Sequence, residues 1–139
     1  MPMLVKGVQM VSSRMPKVVS PEFHAVLDWV SVGAFFLGAA LLWRRHKRAG
    51  LTAMICGTIQ AGSAIMTDYP GGLSPIVTYD THLKMDAGFS GLIASMPGMM
   101  GFGDENQAWF FRVKGMEIAA TTGLSKRPKF SEERALRAA

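Results

Sequence analysis

Two pairs of side chains in this sequence are spaced for chemistry: His24 with Asp28, and His82 with Asp86. Each is an H-x-x-x-D pattern, which on a helix sets imidazole and carboxylate on one face, a turn apart. The plainest use is structural: each histidine hydrogen-bonds its own aspartate and locks a helix end beside its neighbour. A sharper use needs both pairs. Two histidines at one depth could jointly ligate a haem iron or, with the aspartates, a divalent metal. A single histidine ligand to a chlorin-type pigment is the remaining option.

Glu117 stands apart because it falls in the middle of an apolar stretch. An unpaired carboxylate there costs about 2.5–3.5 kcal/mol on membrane-insertion scales, so it must be protonated or partnered. Lys114, three residues earlier, is the nearest cation, and Arg112, Lys84 and Asp86 are further candidates for the same network. Within the apolar segments Lys84, Arg112 and Lys114 balance Asp28, Asp86 and Glu117. A charge-paired interior is preferred on this count over a proton or substrate path centred on Glu117. No nucleophile triad, phosphate loop, zinc-protease motif or dinucleotide fingerprint occurs, so no enzyme is expected.

The segments that must position these residues are apolar and helical. The chain of 139 residues has room for one domain; 49% of it is hydrophobic and 18% charged, with a mean hydropathy of +0.20. The charges crowd into residues 1–22, Arg44–Arg48, Asp104–Glu105 and the end after Ser125, leaving long apolar stretches between. That distribution predicts an all-α membrane protein with four transmembrane helices, near residues 23–43, 51–66, 82–102 and 108–124. Ser20-Pro21-Glu22 opens the first with a hydroxyl cap, a proline and an acid. Asp104 is expected to cap the fourth, and Pro97 to bend the third. Residues 1–22 are expected to form a retained segment lying at the membrane surface or docked on the bundle, and Ser131-Glu132-Glu133 in the 126–139 tail could start a short helix.

The net charge of +5 and pI near 9.7 fit head-group anchoring better than nucleic acid, for which no motif is present. The single cysteine, Cys56, excludes an internal disulfide and a cysteine-rich metal site. Eleven methionines fit flexible packing between helices. The two terminal segments together hold eight Lys/Arg against four in the first loop, which favours cytoplasmic termini.

The chain also matches itself at one constant offset of 58 positions, the separation of His24 and His82. Asp28 then falls on Asp86, Ser20 on Thr78, Glu22 on Asp80, Gly33 on Gly91 and Thr67 on Ser125. Gly57 and Ala61 fall on Gly115 and Ala119, giving both second helices a small-residue face for close packing. Residues 23–72 and 73–125 are therefore read as two copies of one two-helix unit. Both enter the membrane from one side, so their histidines share a depth.

Phe23-His24-Ala25-Val26-Leu27-Asp28, Thr67-Asp68-Tyr69-Pro70, His82-Leu83-Lys84-Met85-Asp86 and Met100-Gly101-Phe102 together resemble the bacterial SPW-repeat membrane proteins. The resemblance covers roughly residues 23–125. The Ser-Pro-Trp motif itself is altered to Ser95-Met96-Pro97-Gly98 in the second unit and missing from the first. It implies a four-helix protein of the bacterial inner membrane and carries no settled activity. The leading expectation is a non-enzymatic structural or accessory subunit, partnered by the lipid bilayer and by other membrane subunits or its own copies. A haem- or pigment-binding electron-transfer subunit using His24 and His82 is one alternative. A small proton-coupled transporter centred on Glu117 is the other.

Overall fold

The computed structural model describes residues 16–126, together with residues 3, 6, 7 and 10. The helix expected from Ser131 lies outside the described residues, as does half of the 1–22 segment. Four helices form among the described residues: α1 (Pro21–Trp43), α2 (Lys47–Met66), α3 (Tyr79–Met99) and α4 (Ala108–Leu124). They are arranged as two hairpins, α1–α2 and α3–α4, with packing far more extensive within each hairpin than between them. Helices α1 and α2 are long and apolar enough to cross a membrane.

The helix starts repeat. Ser20 Oγ accepts from Phe23 N at 3.2 Å, and Thr78 Oγ1 accepts from Thr81 N at 3.2 Å. Proline in the first turn of α1 costs nothing, because its missing N–H is one of the helix's unpaired donors.

Three boundaries differ from the sequence expectation. Helix α2 begins at Lys47 rather than Leu51, because the His46 ring accepts from Ala49 N at 3.1 Å and caps it. The first turn thus shrinks to residues 44–46. Helix α3 runs three residues earlier than expected, from the Thr78 cap to Met99. The chain then reverses through Gly101 at φ +77°, a conformation that glycine adopts without a Cβ clash. Pro97 falls in the last turn of α3, where only two helical residues follow it. Asp104 does not cap α4; Gln107 holds that position, in helical geometry and with no side-chain cap bond.

Both ends of the assembly are stitched by short connections. At one end Val19 N donates to Leu124 O at 2.9 Å and Lys126 N to Val19 O at 2.8 Å. Shifted by 58 positions, the same two bonds recur as Val77 N to Met66 O at 2.8 Å and Asp68 N to Val77 O at 2.8 Å. Residues 16–20 are therefore docked against the end of α4 as residues 75–78 are docked against α2. At the other end, His46 Nε2 meets Glu105 Oε2 at 2.6 Å, and Arg48 donates to Gly101 O at 3.3 Å. The two hairpins thus run in the same sense.

The interior has two layers. Toward the turns 44–46 and 100–107 it is apolar, built around Phe35, Ala53, Cys56, Ile93, Phe102 and Phe111. Toward the termini it is polar: His24, Asp28, His82, Asp86, Thr67 and Ser125 are all buried. The small-residue faces are used inside the hairpins. A Cβ on Gly57 would sit 3.0 Å from the Phe35 side chain, and one on Gly115 would sit 2.7 Å from the Ser90 carbonyl oxygen.

That last contact involves backbone, which cannot step aside cheaply. Gly115→Ala should lower stability by about 1–3 kcal/mol through overpacking of α3 against α4. Gly62→Ala, where a Cβ meets nothing within 4 Å, should leave it unchanged or slightly raised. Unfolding midpoints of the two variants in one detergent provide the comparison.

Candidate functional site

The first turn of α1 and the first turn of α3 each deliver a histidine, and the next turn delivers an aspartate. The four side chains converge between the hairpins, with both imidazoles 0% exposed and both carboxylates under 5%. The rings of His24 and His82 lie 5.4 Å apart, centre to centre, and are nearly perpendicular. Sequence spacing alone pairs each histidine with the aspartate of its own helix, but the hydrogen-bonding geometry crosses over. His24 Nε2 approaches Asp86 Oδ2 at 3.1 Å, and His82 Nε2 approaches Asp28 Oδ2 at 2.9 Å. The same-helix separations are 3.4 Å for His24–Asp28 and 3.1 Å for His82–Asp86. Each Nε2 therefore faces both carboxylates. The four groups close a ring.

The other nitrogen of each imidazole is held just as symmetrically. His24 Nδ1 lies 2.6 Å from Ser125 Oγ, and His82 Nδ1 lies 2.7 Å from Thr67 Oγ1 and 3.0 Å from Ser63 Oγ. Both hydroxyls donate back along their own chain, Ser125 to Thr121 O and Thr67 to Ser63 O, each at 2.6 Å. A carbonyl oxygen can only accept, so the hydroxyl proton goes to it and the hydroxyl oxygen accepts from Nδ1–H. That assigns the ring proton. Both imidazoles carry hydrogen on Nδ1, and both turn Nε2 toward the carboxylates.

Tyr69, in the connection 67–78, completes the shell by donating its hydroxyl to Asp28 Oδ2 at 2.8 Å. Burial and the adjacent Asp28 carboxylate push that hydroxyl well above the usual phenol range, so it remains a donor. Tyr79 stacks on His82 and meets His24 edge-on, closing the ring's outer side with apolar surface.

Below the ring, a partly open cavity of about 10 Å³ is lined by residues of α1, α2, α3 and α4, with room for about one water molecule. Asp28 and Asp86 line it on the ring side, Ser31 and Gln60 on its walls, and Glu117 at its outer edge. Gln60 is 1% exposed, and neither its amide nitrogen nor its oxygen has a hydrogen-bond partner; Ser31 Oγ has none either. Unpaired buried polar atoms of this kind cost about 1–3 kcal/mol each.

Lys114 and Glu117 do pair directly, Nζ to Oε2, with Lys114 buried and the Glu117 side chain about 40% exposed. The wider network expected around them does not form. Lys84 reaches its own-helix Asp80 at 2.8 Å on the surface, and Arg112 donates to Gly103 O at 2.7 Å. Asp86 belongs to the ring instead.

The haem expectation meets a steric objection. Both nitrogens of both histidines are at hydrogen-bond distance from protein groups, and a porphyrin plate cannot enter between Nε2 atoms already facing carboxylates. Gln60, Ser31, Ser63 and Tyr69 were not singled out as site residues by pattern. Thr67 and Ser125 were visible as a repeat match, and that match was the available signal for their shared role.

Comparison of the chain with family models, with curated proteins and with solved structures found no match.

If the Tyr69 hydroxyl serves the Asp28 carboxylate, Tyr69→Phe should cost about 1.5–3 kcal/mol, the range for hydrogen bonds to charged groups. In an Asp28→Asn background the same change should cost clearly less. A double-mutant cycle by chemical unfolding measures the difference.

Proposed function

We propose that the protein is a four-span integral membrane protein of the bacterial inner membrane, acting as a non-enzymatic accessory subunit or homo-oligomer. Its two hairpins are clamped by the His–Asp ring. The observation that carries the membrane reading is the inside-out distribution of side chains. Trp29, Val30, Leu37, Leu41, Met54, Ile59, Trp109, Val113 and Met116 face outward, all at least 36% exposed, around an interior that holds His24, Asp28, Gln60, His82, Asp86 and Lys114. Water would favour the reverse arrangement; hydrocarbon around the helices favours this one. Helix α4 shares the pattern with α1 and α2 through Trp109, Val113 and Met116, and α3 adds Met85 and Met99, which supports four spans rather than two. The likeness to SPW-repeat proteins points the same way.

Because the turns 44–46 and 100–107 meet at one end, they should emerge on one face, with the connection 67–78 and the termini on the other. The lysines and arginines of the terminal segments favour the cytoplasmic side for the latter. The check is single-cysteine labelling in a Cys56→Ser background with a membrane-impermeant maleimide. Arg45→Cys and Asp104→Cys should label from outside intact cells, and Leu73→Cys only after the membrane is opened. Labelling of Asp104→Cys on the Leu73→Cys side would remove the second hairpin from the membrane.

A second reading has its own observation. The cavity runs from half-exposed Glu117 to Asp28 and Asp86, which favours a proton or small-cation route. In reconstituted vesicles this reading expects Glu117→Gln to abolish a pH-gradient-driven flux while the helical circular dichroism is unchanged. Equal flux in the variant would take Glu117 out of the route.

A further inference from the structure

We infer that the His24–Asp28–His82–Asp86 ring is a binding site for a divalent transition metal of the zinc type, held by two imidazole Nε2 atoms and two carboxylates. The inference deepens the clamp reading and uses the same four side chains. It does not depend on how many helices span a membrane.

The first argument is a count of protons. Four N···O approaches of 2.9–3.4 Å converge in the ring. Nδ1 already spends one hydrogen of each imidazole on a hydroxyl, so each Nε2 brings at most one more. Two protons serve four approaches. A cation at the centre serves all four at once. Charge balances in either case: two imidazolium protons or one divalent ion neutralise two carboxylates, and a buried site needs that neutrality. Loading the metal therefore expels up to two protons, with the histidines left neutral and the aspartates ionised.

The second argument is geometric. One donor atom from each residue can be chosen so that all four lie within 4.8 Å of one another. Zinc bonds of about 2.0–2.2 Å in a tetrahedron set ligand–ligand edges of about 3.3–3.6 Å. The short N···O approaches need to open by a few tenths of an ångström, and the longest donor separations, up to 4.8 Å, to close by about an ångström. Two nitrogens and two carboxylate oxygens in a tetrahedral array suit zinc and its neighbours, rather than the larger oxygen cages of calcium.

The third argument is the surrounding shell. Ligating histidines characteristically donate their second N–H to a carbonyl, carboxylate or other fixed acceptor, which orients the ring. Ser125 and Thr67 provide that acceptor here, each fixed in turn by its bond to a backbone carbonyl. Tyr69 fixes Asp28. Independently, the unpartnered and buried Gln60 and Ser31 line the one-water cavity against the two carboxylates. They are placed to hold a water beside the ion or to hydrate it on its way in past Glu117.

The test uses the full chain purified in mild detergent, stripped with a chelator and titrated with Co²⁺ and then Zn²⁺. Expected is stoichiometric Co²⁺ uptake with the visible absorption of a tetrahedral centre, lost on adding Zn²⁺. Asp86→Asn and His24→Gln should weaken uptake at least tenfold. Thr67→Val, which leaves every ligand in place, should weaken it about 10–100-fold, and so keeps the test valid should the ligand variants misfold. His46→Ala and Cys56→Ser should bind like wild type. No stoichiometric uptake by folded wild type, or uptake lost with His46 and kept in Asp86→Asn, overturns the site. Failure of the cysteine topology would overturn the four-span reading and leave this result standing.

Discussion

The arrangement of the protein depends on one requirement: two imidazoles and two carboxylates, all out of water, must end with no net charge and no unmade bond. Isolated, any one of these ionised groups would cost several kcal/mol to bury. Brought together, they cancel. This closure explains why α1 and α3 approach through long side chains rather than by backbone packing, and why the hairpins' own interiors are so much more closely packed than the seam between them. The apolar layer around Phe35, Ile93 and Phe111 fills the remaining half of the seam. The ring fixes which way the two hairpins face.

Crossing over is what makes the ring a clamp. Had each histidine bonded only its own aspartate, the polar layer would add nothing to the bonds that tie the hairpins together at their two ends. Instead His24 needs Ser125 and Asp86 from the second unit, and His82 needs Thr67 and Asp28 from the first. Each imidazole is thus held at both nitrogens by groups outside its own helix.

Much of this was legible in the sequence because duplication writes the same local physics twice. The hydroxyl caps at Ser20 and Thr78, the H-x-x-x-D spacing and the glycines of α2 and α4 all repeat at one offset. Spacing along a helix reports only neighbours on that helix, however, so it pointed to His24–Asp28 and missed the exchange with Asp86. It also missed that His46 would cap α2, because that bond depends on how tightly the turn 44–46 closes. Asp104 looked like a cap by residue type, yet the tight turn after Gly101 leaves Gln107 at the helix start. Gln60 could not be singled out at all: its significance lies in having no partner, and only packing reveals that.

The symmetry of the ring and the asymmetry of its surroundings carry a further implication. At the offset of 58, Gln60 corresponds to Ile118, Ser31 to Phe89 and Glu117 to Ile59. The polar lining of the cavity is therefore not duplicated: Ser31 and Gln60 come from the first unit and Glu117 from the second, each with a bulky apolar counterpart, and Ile118 lines the same cavity as Gln60. A purely structural clamp would gain nothing from that difference, because Gln60 and Ser31 each leave buried polar atoms unpaired. Apolar residues at the same two positions would pack without that cost, as their counterparts show. Retaining the ring in duplicate while lining the space beside it with unduplicated polar groups is the arrangement expected of a symmetric binding centre with a single approach. Glu117, paired with Lys114 at the outer edge of that space, stands where such an approach would begin.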